Sequence, residues 1–285
     1  MQTKRVYGVD FSSAPSPKKP ITIAVGELSV ATSRTPAVYA MHSVVPCASF
    51  AEFEDFLRHE GPWIAGFDLP FSLPRPLIEH YGWPADWPAF IDWYESQSRA
   101  TLRMAFKEFC NARPVGNKFV YRRTDRPAGS SPAMRWTNPP VAWMLHAGAP
   151  RLKSAGVCIP GIWPGTDALP RQRIALEAYP GFTARQVSRA SYKSDERKKQ
   201  TSERQEVRKG ILSALCSGHA GLLPVLQLDQ NWTEKLIEDG AGDLIDAAIC
   251  ALQAAHAASL PNYGFPSDLD TLEGWIASVP VPPPK

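Results

Sequence analysis

The 285-residue sequence predicts an α/β fold built on a mixed β-sheet flanked by helices. Three observations carry this expectation. Short β-forming segments fill the first 45 residues, an amphipathic helix then leads straight into a buried apolar strand, and a late strand precedes an alanine-rich helix near the C-terminus.

The elements follow in chain order. Val6, Tyr7 and Val9 lead into Asp10, and ITIAVGEL (21–28) and VYAMHSVV (38–45) are two further β segments separated by Pro, Ser and Thr clusters. Three sequential strands with short connections predict an antiparallel meander. SFAEFEDFLRHEG (49–61) is an amphipathic helix: Ser49 and Glu52 are spaced as a capping box, Phe50, Phe53 and Leu57 share a face, and Gly61 marks the stop. WIAGFDLP (63–70) is a buried strand that ends at Asp68 and is halted by Pro70. A right-handed crossover through the helix would lay this strand parallel to the first.

Residues 71–171 differ in character, with many prolines and tryptophans, one helix expected near 86–112, and the polar loop YRRTDRPAGSSP (121–132). They are expected to form an insertion within one domain spanning 1–285. The core resumes with the strand RIALEAYP (173–180), which carries Glu177, followed by a charged helical stretch over about 183–216. GDLIDAAICALQAAHAASL (242–260) is a helix ended by Pro261, and VPVPPPK is an extended tail.

Composition removes several function classes. Hydrophobic residues at 44% and charged residues at 21% exclude a disordered chain, a coiled coil and a fibrous repeat. The 28 prolines, about twice the usual share, predict stiff connections. With no apolar run near the ~18 residues of a membrane span and no signal-peptide core, the expectation is a cytoplasmic protein without a membrane partner. Five scattered cysteines and six dispersed histidines offer neither a disulfide framework nor a zinc or histidine ligand set.

The carboxylates are more informative. Asp10 and Asp68 each close an apolar strand, where an acid lowers strand propensity and needs compensation when buried. Taken singly, each is also explained as a turn residue. Taken together, at the ends of neighbouring parallel strands roughly 4.8 Å apart, they would converge. Glu177 is a third acid late in an apolar strand. Asp243 and Asp246, at i,i+3, project from neighbouring positions of one helix; Asp243 also suits a first-turn dipole position, whereas Asp246 sits in an apolar stretch. Carboxylates crowded in this way stay ionised only if a cation holds them, and all-oxygen ligation suits Mg2+ or Mn2+. Two such ions are the recurrent apparatus of phosphodiester hydrolysis.

The order of GVDFSSAP, GFDLPFSLP, LEAYP, SERQEVRKGIL and DLIDAAICAL resembles the DUF429 family of predicted RNase H-like nucleases, and the last segment is similar to the acidic last helix of RuvC-type resolvases. The resemblance spans most of the chain and matches the insertion loosely. It implies a five-stranded RNase H-like sheet with Asp10, Asp68, Glu177, Asp243 and Asp246 around a Mg2+ or Mn2+ site, and nuclease activity on DNA or RNA. The first helix offers no acid to complete that set, since Glu52, Glu54 and Asp55 suit a solvated face.

Net charge is only +3, but it is unevenly spread. Arg99–Arg126 holds eight basic against two acidic residues, and Arg185–Lys209 nine against four. Arg122, Arg123, Arg126, Lys198 and Lys199 are the candidate phosphate contacts. Trp136, near the arginine loop, is a candidate base-stacking platform. Two other classes compete with the nuclease. An actin-like or sugar-kinase-type ATP phosphotransferase would share the strand core and use VDFSSAPSPKK as a phosphate turn; the chain lacks the second turn and the duplicated domain. A catalytically inactive nucleic-acid-binding relative would keep the acids only as turn and cap residues.

Overall fold

A computed structural model of the chain describes residues 3–29, 37–168, 172–219, 221 and 224–281. Its centre is a six-stranded mixed sheet of β1 (Thr3–Asp10), β2 (Ile21–Ser29), β3 (Val38–Cys47), β4 (Trp63–Phe67), β5 (Arg173–Glu177) and β6 (Val225–Gln227), ordered β5-β4-β1-β2-β3-β6. The meander forms as expected: β1–β2 and β2–β3 are antiparallel. Helix α1 (Phe50–Leu57) carries the chain over to β4, which lies parallel to β1, and β5 extends that parallel run. The expected count of five strands is one short. Val225–Gln227 is only three residues long, too brief for a sequence pattern, yet it pairs in parallel with β3 and covers that edge.

Ser49 caps α1 by accepting from the Glu52 amide at 3.2 Å, while the Glu52 carboxylate reaches back to the amide of Ala48. Between β4 and β5 run α2 (Arg75–His80), α3 (Trp87–Ser96), α4 (Arg99–Asn111), α5 (Asp125–Ala128) and α6 (Val141–Ser154). The single helix expected near 86–112 is two, because Ser98 breaks the first and caps the second by accepting from the Thr101 amide. After β5 come α7 (Pro180–Val187), a loop with a 3-10 turn at Arg197–Lys199, α8 (Ser202–Ser217), α9 (Gln230–Glu238) and α10 (Asp243–Ala257). The charged stretch over 183–216 is therefore two helices with a loop between them.

Strand alternation divides these helices between two faces. Tyr7, Val9, Trp63, Ala65 and Phe67 point into one apolar core with α1 and the helices of residues 71–171. Val6, Ile64 and Leu176 point into the other, with α7, α8, α9 and α10. On that second face Gly8 of β1 and Gly66 of β4 stand opposite each other in register. A Cβ on Gly8 would fall 2.0 Å from the Ala247 carbonyl oxygen, and one on Gly66 would fall 2.2 Å from that of Cys250. Only glycine lets the alanine-rich α10 rest its backbone on the sheet at these points.

Candidate functional site

The close seating of α10 determines where the acids go. Asp10 ends β1, and Asp68 follows β4 directly, its amide donating to the Val9 carbonyl at 2.9 Å. By the period of two, both side chains share the face of Gly8 and Gly66 and lie towards α10. Asp243 and Asp246 occupy the first turn of that helix, just before Ala247, Cys250 and Ala251, which touch the glycines. The four aspartates predicted from the sequence thus gather at the C-terminal edge of the parallel strands.

Their environments differ. Asp246 is fully buried; Tyr192 donates its hydroxyl to Oδ1 at 2.6 Å, and the Lys193 ammonium pairs with Oδ2. Asp10 and Asp68 are partly buried. Burial pushes Asp10 well above the usual carboxylate range, and Asp246, Asp243 and Asp68 add to the rise against the pull of Lys193. Asp68 is pushed up to about 7, by burial first and then by Asp246 and Glu177, again opposed by Lys193. Burial also raises Asp243, whose Oδ1 stands 3.3 Å from the Lys19 ammonium. Lys19 pairs with Asp195 as well.

Beside Lys19 at Asp243, Lys193 is the second cation within this group. Burial works against its charge, but Asp246, Tyr192 and Asp10 outweigh it and hold its pKa well above the ordinary value. Its side chain nevertheless keeps 40% of its surface exposed. The loop that carries it is tied down: the Tyr192 carbonyl accepts from buried Arg208 at 2.6 Å, and the Lys193 carbonyl accepts from Arg204 at 3.0 Å.

Tyr192 and Lys193 are the residues that sequence reasoning missed. Their signal lay inside the stretch expected to be helical, where SYKSD is a polar break. Among the described residues, no three His, Cys, Asp or Glu side chains stand ready to hold a metal ion. The donor set still fits one by its chemistry: four carboxylates crowded enough to repel one another, beside a Cys250 thiol that burial and Asp68, Asp246 and Asp10 push well above its ordinary pKa.

Two expected site residues play a different part. Glu177 pairs in register with Phe67, not with Asp68, so its side chain points to the opposite face of the sheet; Ala178 is the residue that follows in line with Asp68. There Glu177 accepts a bidentate contact from Arg122, 2.6 Å to Oε1 and 2.7 Å to Oε2, and a third bond from the Phe71 amide at 3.0 Å. Both its oxygens are engaged by Arg122 and the Phe71 amide, where the sequence suggested a ligand or a water-orienting group. Arg122, expected on the surface as a phosphate contact, is 2% exposed and also grips Asp125 at 2.8 Å. Arg122, Asp125 and Glu177 form a buried ion network that fastens the arginine loop to the end of β5.

The remaining basic candidates are exposed. Arg123 pairs with Asp268 at 3.1 Å, and Arg126 lies over the Tyr121 ring at 4.4 Å. Lys198 and Lys199 both pair with Glu196. Trp136 packs against Phe106 and Phe119, with ring centroids at 6.1 and 5.8 Å, and is partly buried.

Beside Asp68 and Lys193 opens a cavity of about 460 Å3. Leu69, Val141, Met144 and Ala184 give it an apolar wall, while Arg185 and Arg189 are exposed on α7 and the loop after it.

Compared with known proteins, the chain matches no protein family, no curated protein and no solved structure. Among the described residues, no helix is long and apolar enough to cross a membrane.

Proposed function

We propose that this protein is a divalent-metal-dependent nuclease of RNase H-like type that hydrolyses phosphodiester bonds in nucleic acid. The observation that carries the reading is the convergence of Asp10 and Asp68, from the ends of neighbouring parallel strands, with Asp246 of the helix packed across them. Open α/β sheets bind ligands at this edge. The resemblance to the DUF429 family of predicted nucleases implies the same activity.

Asp10, Asp68, Asp246 and Asp243 would hold Mg2+ or Mn2+, which when bound would polarise the phosphodiester and activate water. Tyr192 fixes the Asp246 carboxylate through its hydroxyl. Lys193 pairs with Asp246 and also lines the cavity, where it would offer a cation to a phosphate oxygen. Arg189 has no carboxylate partner among the described residues and adds a second positive charge there. Glu177 and Arg122 contribute by fixing the end of β5 beside Asp68.

The test is cleavage of a labelled single-stranded oligonucleotide with Mg2+ or Mn2+. Wild type should cut and Asp10→Asn should not. Equal cutting by both would remove Asp10 from the reaction. The Lys193–Asp246 pair favours one second reading, a non-catalytic nucleic-acid-binding relative in which the ammonium replaces the metal permanently. Oligonucleotide binding without cleavage under any metal would select it.

A further inference from the structure

We infer that the cavity beside Asp68 and Lys193 is a nucleobase pocket that takes one unpaired nucleotide of the substrate. The inference rests on the nuclease reading and narrows its substrate to strands that can present an unstacked base. Three features of the cavity lead there.

The first is size. About 460 Å3 lies in the range of small-molecule pockets and can receive a single nucleotide unit, whereas a duplex cannot enter it. The second is the wall. Leu69, Val141, Met144 and Ala184 present apolar surface that would bury the flat faces of a base. Tyr179 and Arg185 line the same cavity in a cation–π contact, the guanidinium 5.1 Å from the ring centroid and donating to the Tyr179 hydroxyl at 3.2 Å. Aromatic and guanidinium planes are the surfaces on which unpaired bases stack.

The third feature is charge. Arg185 spends its hydrogen bonds on the carbonyls of Ala128 and Gly129 and on Tyr179, so no carboxylate neutralises it among the described residues. Arg189 likewise has no acidic partner among them, and Lys193 lies at the wall shared with the acidic group. The acid on the cavity's other wall, Glu177, is already neutralised by Arg122. The cavity therefore combines an apolar slot with cations that meet a phosphate, next to the carboxylates that would act on the neighbouring linkage.

The experiment is calorimetric titration of adenosine 5′-monophosphate, uridine 5′-monophosphate and ribose 5-phosphate, in EDTA, into wild type, Val141→Trp and Arg189→Ala. Both nucleotides should bind wild type, and ribose 5-phosphate should bind about tenfold or more weakly, the range produced by loss of one stacked base. Val141→Trp fills the slot and should weaken nucleotide binding by about tenfold. Arg189→Ala should weaken it and flatten its salt dependence.

Ribose 5-phosphate binding as tightly as the nucleotides, unchanged binding by Val141→Trp, or no binding by wild type would each overturn the pocket. Met144→Trp, judged in the same way, replaces Val141→Trp if that variant does not fold by circular dichroism. Metal binding is scored separately. Wild type that binds the nucleotides but, titrated without EDTA, binds neither Mg2+ nor Mn2+ overturns the nuclease reading and leaves the pocket standing; wild type that binds metal but neither nucleotide overturns the pocket alone.

Discussion

Lys193 places its ammonium on the fully buried carboxylate of Asp246, inside a group of four aspartates. A buried carboxylate left unpaired is costly, and three further acids nearby make the cost larger. The ammonium thus offsets part of the charge that a bound divalent ion would meet, while Asp10 and Asp68 stay above the usual carboxylate range.

Lys193→Met should expose this substitution of one cation for another. Removing one partner of a buried pair costs about 3–5 kcal/mol, and the partial exposure of Lys193 brings the expected loss nearer 1–3 kcal/mol. Millimolar Mg2+ should restore stability to the variant more than it stabilises wild type. Urea unfolding with and without Mg2+ checks this; an equal response in the two proteins would mean that Lys193 and the metal do not share a place.

The seating of α10 depends on Gly8 and Gly66. Gly66→Ala puts a Cβ 2.2 Å from the Cys250 carbonyl oxygen, so the helix must shift. Overpacking of a tight core typically costs about 1–3 kcal/mol, and backbone atoms on both sides put this case at or above the upper end. Chemical denaturation gives the number. A loss below about 0.5 kcal/mol, the level of an ordinary surface change, would show that helix and sheet are not in contact at this point.

Arg122 holds Asp125 and Glu177 together in the interior. Arg122→Met would strand both carboxylates and should cost about 3–5 kcal/mol. Arg122→Lys should recover little, because an ammonium cannot reproduce the bidentate fork. Arg126→Ala, four residues away on the surface, should fall within about 0.5 kcal/mol of wild type. Similar losses at Arg122 and Arg126 in urea would contradict the buried network.

A pH dependence follows from Asp270. Burial alone would raise its carboxyl, but the Arg75 guanidinium, at 2.6 Å to each oxygen, and the amides of Leu272 and Glu273 outweigh burial and hold it below the ordinary value. The unfolded chain has the higher pKa, about 3.9, so this contribution is complete above that pH and disappears as pH falls through the lower folded value. Wild type should lose stability in that acid window, and Asp270→Asn should show a shallower slope there. Parallel pH profiles of unfolding would assign the acid sensitivity elsewhere.

Much of this architecture was legible in the sequence because its signals are local. The capping of α1 by Ser49, the meander, and the placement of Asp10, Asp68, Asp243 and Asp246 follow from apolar period, turn residues and crossover handedness. Glu177 was misjudged because register is not local: a one-residue offset in β5 aligns it with Phe67 and turns it to the other face. Arg122 was misjudged for the related reason that its partner lies 55 residues away. Lys193 was passed over because the expected helix hid a loop, and Gly8 and Gly66 carry meaning only when a helix lies on them. The two Gly-x-Asp runs, Gly8-Val9-Asp10 and Gly66-Phe67-Asp68, were visible as a pair; the packing that explains them was not.

The most direct test of the account is calorimetric titration of Mg2+ and Mn2+ into wild type and Asp10→Asn, repeated with a short single-stranded oligonucleotide present. The account predicts binding to wild type that Asp10→Asn abolishes. An absence of binding to wild type in both conditions, or equal binding by the two proteins, would contradict the claim that these aspartates form a metal centre.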